Sequence, residues 1–319
     1  MTQTSGDELS ALAGEGFRWL TRILGDLDPN VFFDNYWEKR HLFVPAHKSL
    51  VPADLLNEDE INDFFARNDV RYPTVQMVKG GRNLPLSDYS NPIKIGTYSD
   101  TGLIDMDRVI DSYRAGGTVI VQLMQKSFGR ISTFTSELSA FVRGKVDVHG
   151  FFTPSSAQGL TAHYDVASAF LIQLKGAKKW RLYDMEIEAP APDQTFDSRN
   201  PLKGSVIDEV TMRTGDVMYL PRGLPHEGIT QESDSLHLTV VLWPQSWLDI
   251  LSITLQQCEK IESFRQAPTT VLTEEKGRDF DLTWDNIADQ FKSKIESAVS
   301  ETTLYPSTNP PASRRGRWL

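Results

Sequence analysis

TAHYDVASAFLIQLKGAKKWRLY, residues 161–183, sets His163 and Asp165 two positions apart, and GDVMYLPRGLPHEG, residues 215–228, adds His226. Residues i and i+2 of an extended strand point to one face, so the imidazole of His163 and the carboxylate of Asp165 can converge on a single ion. His226 is expected to close the set from another strand. Two imidazoles and one carboxylate on one face of a metal leave its opposite face open, the donor set of non-haem Fe(II) oxygenases. An H-x-D pair also arises by chance, so the metal reading leans on the second segment.

That segment places Gly215, Pro221, Gly223 and His226 at G-x5-P-x-G-x2-H. This is the spacing of the second cupin motif, in which a glycine turn starts a strand and a Pro/Gly corner presents the histidine into a barrel. Together the two segments resemble the cupin-like JmjC oxygenases, and most closely the ribosomal oxygenase branch, which hydroxylates histidine or arginine in ribosomal proteins. FFDNYWEKRHLFV at 32–44 is similar to that branch's opening motif, and FFTPSSAQGLTAHYD at 151–165 to its lead-in to the first metal strand. SLHLTVVLWPQSWLDIL at 235–251 is similar to the strand and helix after the distal histidine. The resemblance implies Fe(II), 2-oxoglutarate as cosubstrate and O2, with His163, Asp165 and His226 as the iron ligands.

Three lysines lie near the motif, and strand phase separates them. If KKWRLY leaves the KGA turn as a strand, Lys178, Trp180 and Leu182 share the apolar face while Lys179, Arg181 and Tyr183 share the other. A lysine pointing into an apolar barrel is costly unless something negative meets it. The resemblance supplies that partner, the distal carboxylate of 2-oxoglutarate, and its basic residue falls at Lys178. Thr239 matches a hydroxyl that holds the same carboxylate in the family. The family often has a tyrosine where this chain has Phe151, which removes a third contact. The alternative is a surface lysine whose stem alone is buried.

The remainder of the chain bounds the function. Its 319 residues, 39% hydrophobic, suffice for a sizeable core. The single cysteine, Cys258, excludes an internal disulfide and fits a reducing compartment. No apolar run approaches a membrane span, and MTQTSGDELSALAGEG lacks the basic region and apolar core of a signal peptide. A cytoplasmic protein with no membrane partner is therefore expected. A net charge of −10 argues against general nucleic-acid binding, which needs Lys and Arg to neutralise phosphates. The basic tail SRRGRWL reads as a frayed terminus.

Residues 7–25 read as a helix weakened by Gly14 and Gly16, packed on the outside of the barrel. Asp28-Pro29 starts a second helix, HLFV is a strand, and LNEDEINDFFARN is a third helix. Short β-prone runs then alternate with turns, interrupted by helices over MDRVIDSYRAGG and ISTFTSELSAFVRGK. Gly80-Gly81 before Arg82 lacks the Gly-Lys-Ser/Thr of a phosphate loop. His41, His47 and His149 read as structural or surface residues, and His237 as a structural residue or one that supports the ligands from behind. This pattern predicts a mainly β fold with flanking helices: a double-stranded β-helix, the jelly-roll barrel of the cupins, with a C-terminal helical segment. The expected divisions are 1–70, an N-terminal helical region packing on the barrel; 71–244, the barrel; 245–300, helical; and 301–319, a flexible tail.

Leu248, Leu251, Leu255, Cys258 and Ile261 recur at helical intervals, as do Trp284, Ile287, Phe291, Ile295 and Val299. In the ribosomal oxygenases such helices mediate dimerisation and a winged-helix domain follows; no winged helix is evident here, and a homodimer is expected. The function implied is hydroxylation of a side-chain carbon in a protein or peptide substrate, with release of succinate and CO2. The alternatives are a cupin-type small-molecule oxygenase of a biosynthetic pathway, which the position of Lys178 disfavours, and a non-catalytic JmjC-like binding module, which the intact ligand set disfavours.

Overall fold

The computed structural model describes residues 6–51, 55–100, 102–199, 202, 204–265, 270–273, 277–280 and 283–300. The tail expected over 301–319 lies outside the described residues. The chain opens with α1 (Gly6–Leu24) and α2 (Pro29–Asn35), where the Asp28 carboxylate accepts the Asn30 N–H at 2.7 Å and Pro29 occupies the first turn. Such a cap contributes about 1 kcal/mol. β1 (Leu42–Val44) follows, then α3 (Glu58–Phe65), entered through a reciprocal Asn57–Glu60 capping box. The glycine that weakens α1 by propensity has a packing reason. A Cβ on Gly16 would fall 2.2 Å from the Glu137 carbonyl oxygen, so the helix can cross its neighbour this closely only with glycine there.

Next come β2 (Val75–Lys79), β3 (Arg82–Asn83), β4 (Ile93–Ile95), β5 (Tyr98–Asp100), α4 (Met106–Arg114), β6 (Thr118–Val121) and α5 (Gly129–Val142). α5 is the helix that α1 crosses, and the Trp19 indole N–H donates to Glu137 at 2.6 Å. The barrel is completed by β7 (Gly144–Thr153), β8 (Ser168–Tyr183), β9 (Val206–Arg213), β10 (Val217–Leu220), β11 (His226–Ile229) and β12 (Ser235–Pro244). The larger sheet runs β1-β10-β8-β12-β7-β6-β2-β3, with every neighbouring pair antiparallel.

β8 belongs to two sheets. Its first half pairs with β10 and β12, and its second half with β9 and β11. KGA is therefore not a turn between two strands, as expected above, but a bend inside one. Gly176 takes φ +69° there, opposite a register shift at Leu236/His237, and a Cβ on it would clash with the Asp234 carbonyl. The double-stranded β-helix follows from this shared strand. Alternation along it separates two cores. Phe170 and Ile172 join Val146, Val148, Leu238 and Val240 on the outer face under the helices, whereas Leu171, Trp180 and Leu182 join Met218 and Leu220 inside the barrel.

The chain ends with α6 (Trp247–Cys258), α7 (Glu262–Arg265), β13 (Thr270–Thr273), β14 (Gly277–Phe280) and α8 (Thr283–Ser300). α6 does not bury the face its apolar spacing marks. Thr254 and Cys258 are its buried residues, while Trp247, Leu248, Leu251 and Leu255 are exposed, Leu248 to 68% and Leu255 to 57%. Cys258, seven residues after Leu251 and on the same side of the helix, is buried where the leucines are not. Among the described residues, no helix is long and apolar enough to cross a membrane.

Candidate metal centre and its cavity

His163 and Asp165 do not lie in a regular strand, contrary to the reading of their spacing. They occupy the segment between β7 and β8, whose chain must turn at Val166–Ala167 before β8 begins. Their convergence is secured another way. His163 and His226 form an isolated antiparallel bridge, each N–H donating to the other's carbonyl, at 3.1 and 2.8 Å. The Gly223 N–H donates to the Asp165 carbonyl at 2.8 Å. Gly223 has φ +85°, and a Cβ there would lie 2.2 Å from the Ile187 carbonyl oxygen, so the corner that leads into His226 requires glycine.

The rings are oriented by the same backbone. His163 Nδ1 lies 2.7 Å from the Thr161 carbonyl and His226 Nδ1 lies 3.0 Å from the Leu224 carbonyl. Each Nδ1–H donates two residues upstream, which leaves both Nε2 lone pairs directed at Asp165. His163 Nε2 is 3.8 Å from Asp165 Oδ1, and His226 Nε2 is 3.8 Å from Oδ2. One ligand atom from each of the three falls within 4.8 Å of the others. Bonds of about 2.1 Å hold donors no more than about 4.2 Å apart, so small side-chain rotations would close the three donors onto one ion. Burial, reinforced by the neighbouring His163, holds His226 well below the usual histidine range, so its imidazole is neutral and able to ligate at physiological pH. His226 is buried, whereas the Asp165 carboxylate is half exposed, so the triangle opens towards Asp165.

Inside the barrel the triangle adjoins a cavity of about 110 Å³ lined by Lys178, Thr239, Phe151, Trp180 and His237. The lysines separate as strand phase predicts. Lys175 and Lys179 form surface pairs with Glu58 and Glu209, at 2.7 Å each, while Lys178 is 4% exposed. Its Nζ donates to Thr153 Oγ1 at 3.3 Å and lies 5.3 Å from the Trp180 ring centre, with no carboxylate paired to it among the described residues. Burial pushes its pKa down to about 7. β11 passes over the lysine stem because residue 228 is glycine; a Cβ would sit 2.8 Å from Lys178 Cε. Without a carboxylate partner, burial disfavours the charged form of this lysine, and an anion placed beside it would favour the ammonium.

Sequence reasoning overlooked several cavity groups. Thr153 and Thr118 carry linked hydroxyls, 3.3 Å apart, beneath Lys178. Alternation back from Thr153 through Phe151 to His149 marks the inward face of β7, and that signal finds Thr153. His237 shares the inward face of β12 with Thr239; its ring stacks on Phe151 at 4.9 Å and 7°, and its Nδ1 has no partner among the described residues. His149 is structural, accepting the Leu123 N–H at 3.4 Å, and His41 pairs with Asp208 at 3.0 Å. On the open side of the triangle lies a groove of about 340 Å³ walled by Tyr164 and Phe196, whose rings meet edge to face at 5.5 Å. Tyr164 points away from the ligands, as its position between them implies, and its hydroxyl donates to the Gln194 carbonyl at 3.0 Å.

Residues 123–250 match the JmjC domain family. The chain is 30% identical over 236 residues to the bifunctional lysine-specific demethylase and histidyl-hydroxylase NO66 of Drosophila erecta, covering 72% of this chain and 34% of that protein. Its counterpart from Aedes aegypti is 24% identical over 261 residues, 79% of this chain and 39% of the relative. The chain thus spans about a third of the length of these curated relatives. Among solved structures it resembles YcfD, a ribosomal oxygenase from Escherichia coli, with a TM-score of 0.54 and 14% identity over 90% of this chain and 72% of that one. A complex of YcfD with cobalt and 2-oxoglutarate matches with a TM-score of 0.53, 14% identity and coverage of 90% and 73%. At these identities the likeness to the solved structures is one of fold.

Proposed function

We propose, from a chain that carries a JmjC domain over residues 123–250, an Fe(II)- and 2-oxoglutarate-dependent oxygenase that hydroxylates a side-chain carbon of a protein or peptide. The observation that carries the reading is the closed His163–Asp165–His226 triangle beside a cavity whose buried lysine has no carboxylate of its own. His163, Asp165 and His226 would hold the iron. Lys178 and Thr239 would hold the distal carboxylate of the 2-oxo acid, with Thr153 fixing the ammonium against the cavity floor. Bound iron and cosubstrate supply the oxygen-transfer chemistry, with succinate and CO2 released. The chain's own contribution is orientation of both groups and exclusion of water by Trp180, Leu171 and Leu220.

The Tyr164–Phe196 groove, open to solvent on the ligand side, is where a polypeptide side chain would approach. In this reading residues 71–244 form most of the catalytic barrel, 1–70 cover it and add β1 to its sheet, and 245–300 serve assembly. Incubating the protein with Fe(II), 2-oxoglutarate and a lysate or peptide library under 18O2 should place one labelled oxygen on a side-chain carbon of a polypeptide, found by mass spectrometry. Label confined to free amino acids or other small metabolites would overturn the polypeptide assignment and leave the oxygenase standing.

The exposed α6 leucines support a homodimer in which this face packs across a two-fold axis on a second copy, since contiguous exposed apolar surface marks an interaction site. The expected mass at micromolar concentration is that of two chains, reduced to one by Leu251→Asp or Leu255→Asp. A monomeric mass that neither substitution alters would refute it.

A further inference from the structure

Arg222 lies in the Pro221–Leu224 turn between β10 and His226. Its Nε and Nη2 donate to one oxygen of Glu38, at 2.8 and 2.5 Å, and its Nη1 donates to the Pro190 carbonyl at 3.4 Å. The other Glu38 oxygen accepts the Ser168 hydroxyl at 3.1 Å, and the Ser168 oxygen in turn accepts the Arg222 N–H at 3.1 Å. The Glu38 N–H donates to the Tyr219 hydroxyl at 3.0 Å. Both side chains are more than three-quarters buried. Glu38 holds φ +59°, a conformation that a residue with a Cβ keeps only where its surroundings over-determine it.

These bonds grip the metal residues from both sides. Ser168 begins β8 just after the turn that follows Asp165. Arg222 is anchored next to Gly223, whose N–H holds the Asp165 carbonyl, and the chain leaves that turn directly into His226. Glu38 itself comes from the N-terminal helical region, which contributes none of the three ligands.

We infer that Glu38 and Arg222 are a positioning pair for the metal centre: through Ser168 and the 221–224 turn they set the mutual placement of Asp165 and His226. Neither touches the ion site. The inference rests on the iron-site reading above, and Co(II) binding to the full chain tests both separably. Arg222→Met keeps the side-chain stem and removes the guanidinium; Glu38→Gln keeps shape and removes charge. Each should weaken Co(II) binding about 10- to 100-fold, the range for losing a group that orients a ligand, and should shift the visible absorption of bound Co(II). The double variant should bind no more weakly than the weaker single, because the two act as one unit. Arg222→Lys, which keeps the charge, should recover part of the loss. Arg181→Met, which breaks a surface pair with Glu209 on the same barrel, should leave affinity and spectrum unchanged.

Folded Arg222→Met protein with the affinity and spectrum of the unaltered chain would overturn the inference. Should that variant not fold, Glu38→Gln decides alone, by the same criterion. Failure of the unaltered chain to bind Co(II) would sink the iron-site reading, and this inference with it.

Discussion

Replacing His163 or Asp165 with alanine is expected to abolish Fe(II) binding and all 2-oxoglutarate turnover while the chain stays folded. Losing a group that merely orients a ligand costs roughly 10- to 100-fold in metal affinity, and losing one of three ligands exceeds that. The fold should tolerate it because the local structure is held by main-chain bonds: the His163–His226 bridge and the Gly223 N–H to the Asp165 carbonyl survive truncation of either side chain. Both side chains also face a site open to solvent rather than the two apolar cores. Metal titration with circular dichroism as a control checks this. Full decarboxylation of 2-oxoglutarate in either folded variant would remove these residues from the role.

The second large effect concerns Lys178. Lys178→Ala should raise the 2-oxoglutarate concentration needed for half-maximal turnover by about 100-fold, the scale of removing one partner of a buried charge pair. Lys175→Ala and Lys179→Ala should change it by less than about threefold, since exposed pairs contribute little. Their salt bridges to Glu58 and Glu209 lie at the surface, whereas Lys178 faces the cavity. A pH signature goes with it. Burial holds the free lysine near a pKa of about 7, so above that pH it is mostly neutral without its anion. A bound carboxylate favours the ammonium, and binding must then take up a proton. Affinity for 2-oxoglutarate should therefore fall as pH rises above 7, with proton uptake measurable by calorimetry in buffers of different ionisation enthalpy. Lys178→Met should lose that uptake. Equal effects at the three lysines would show that Lys178 does not meet the anion.

Much of this was legible in the sequence, for reasons that differ by residue. The inward direction of Lys178 is legible because a side-chain period of two survives any detail of the barrel, and the Gly223 corner because a Pro/Gly turn has few solutions. The His163–Asp165 geometry was legible in outcome and not in means. Spacing suggested a strand, but a bridge to a residue far along the chain does the holding, and local pattern carries no trace of a remote partner. The same limit hid the Glu38–Arg222 pair, since nothing near Glu38 announces an arginine at 222. Gly16 looked like a weak point of a helix because propensity ignores the neighbour it allows to approach. The exposure of the α6 leucines was not legible, because spacing alone cannot say which part of an apolar stripe meets the protein.

β8 also bears on how such a protein can change. One continuous strand begins beside Asp165, crosses from one sheet to the other at Gly176 and carries Lys178 on its far half. Ser168, which helps hold the turn after Asp165, and Lys178 are thus mounted on one strand, so a shift of β8 moves both. The connection that joins β8 to β9 divides its duties: Ile187 and Pro190 pack on the 221–224 turn, while Phe196 and Ser198 wall the groove. Replacements at Phe196 and Ser198 should alter the groove wall without touching the residues that brace that turn. Over generations, the groove wall is free to drift at those positions while the bracing residues are held in place.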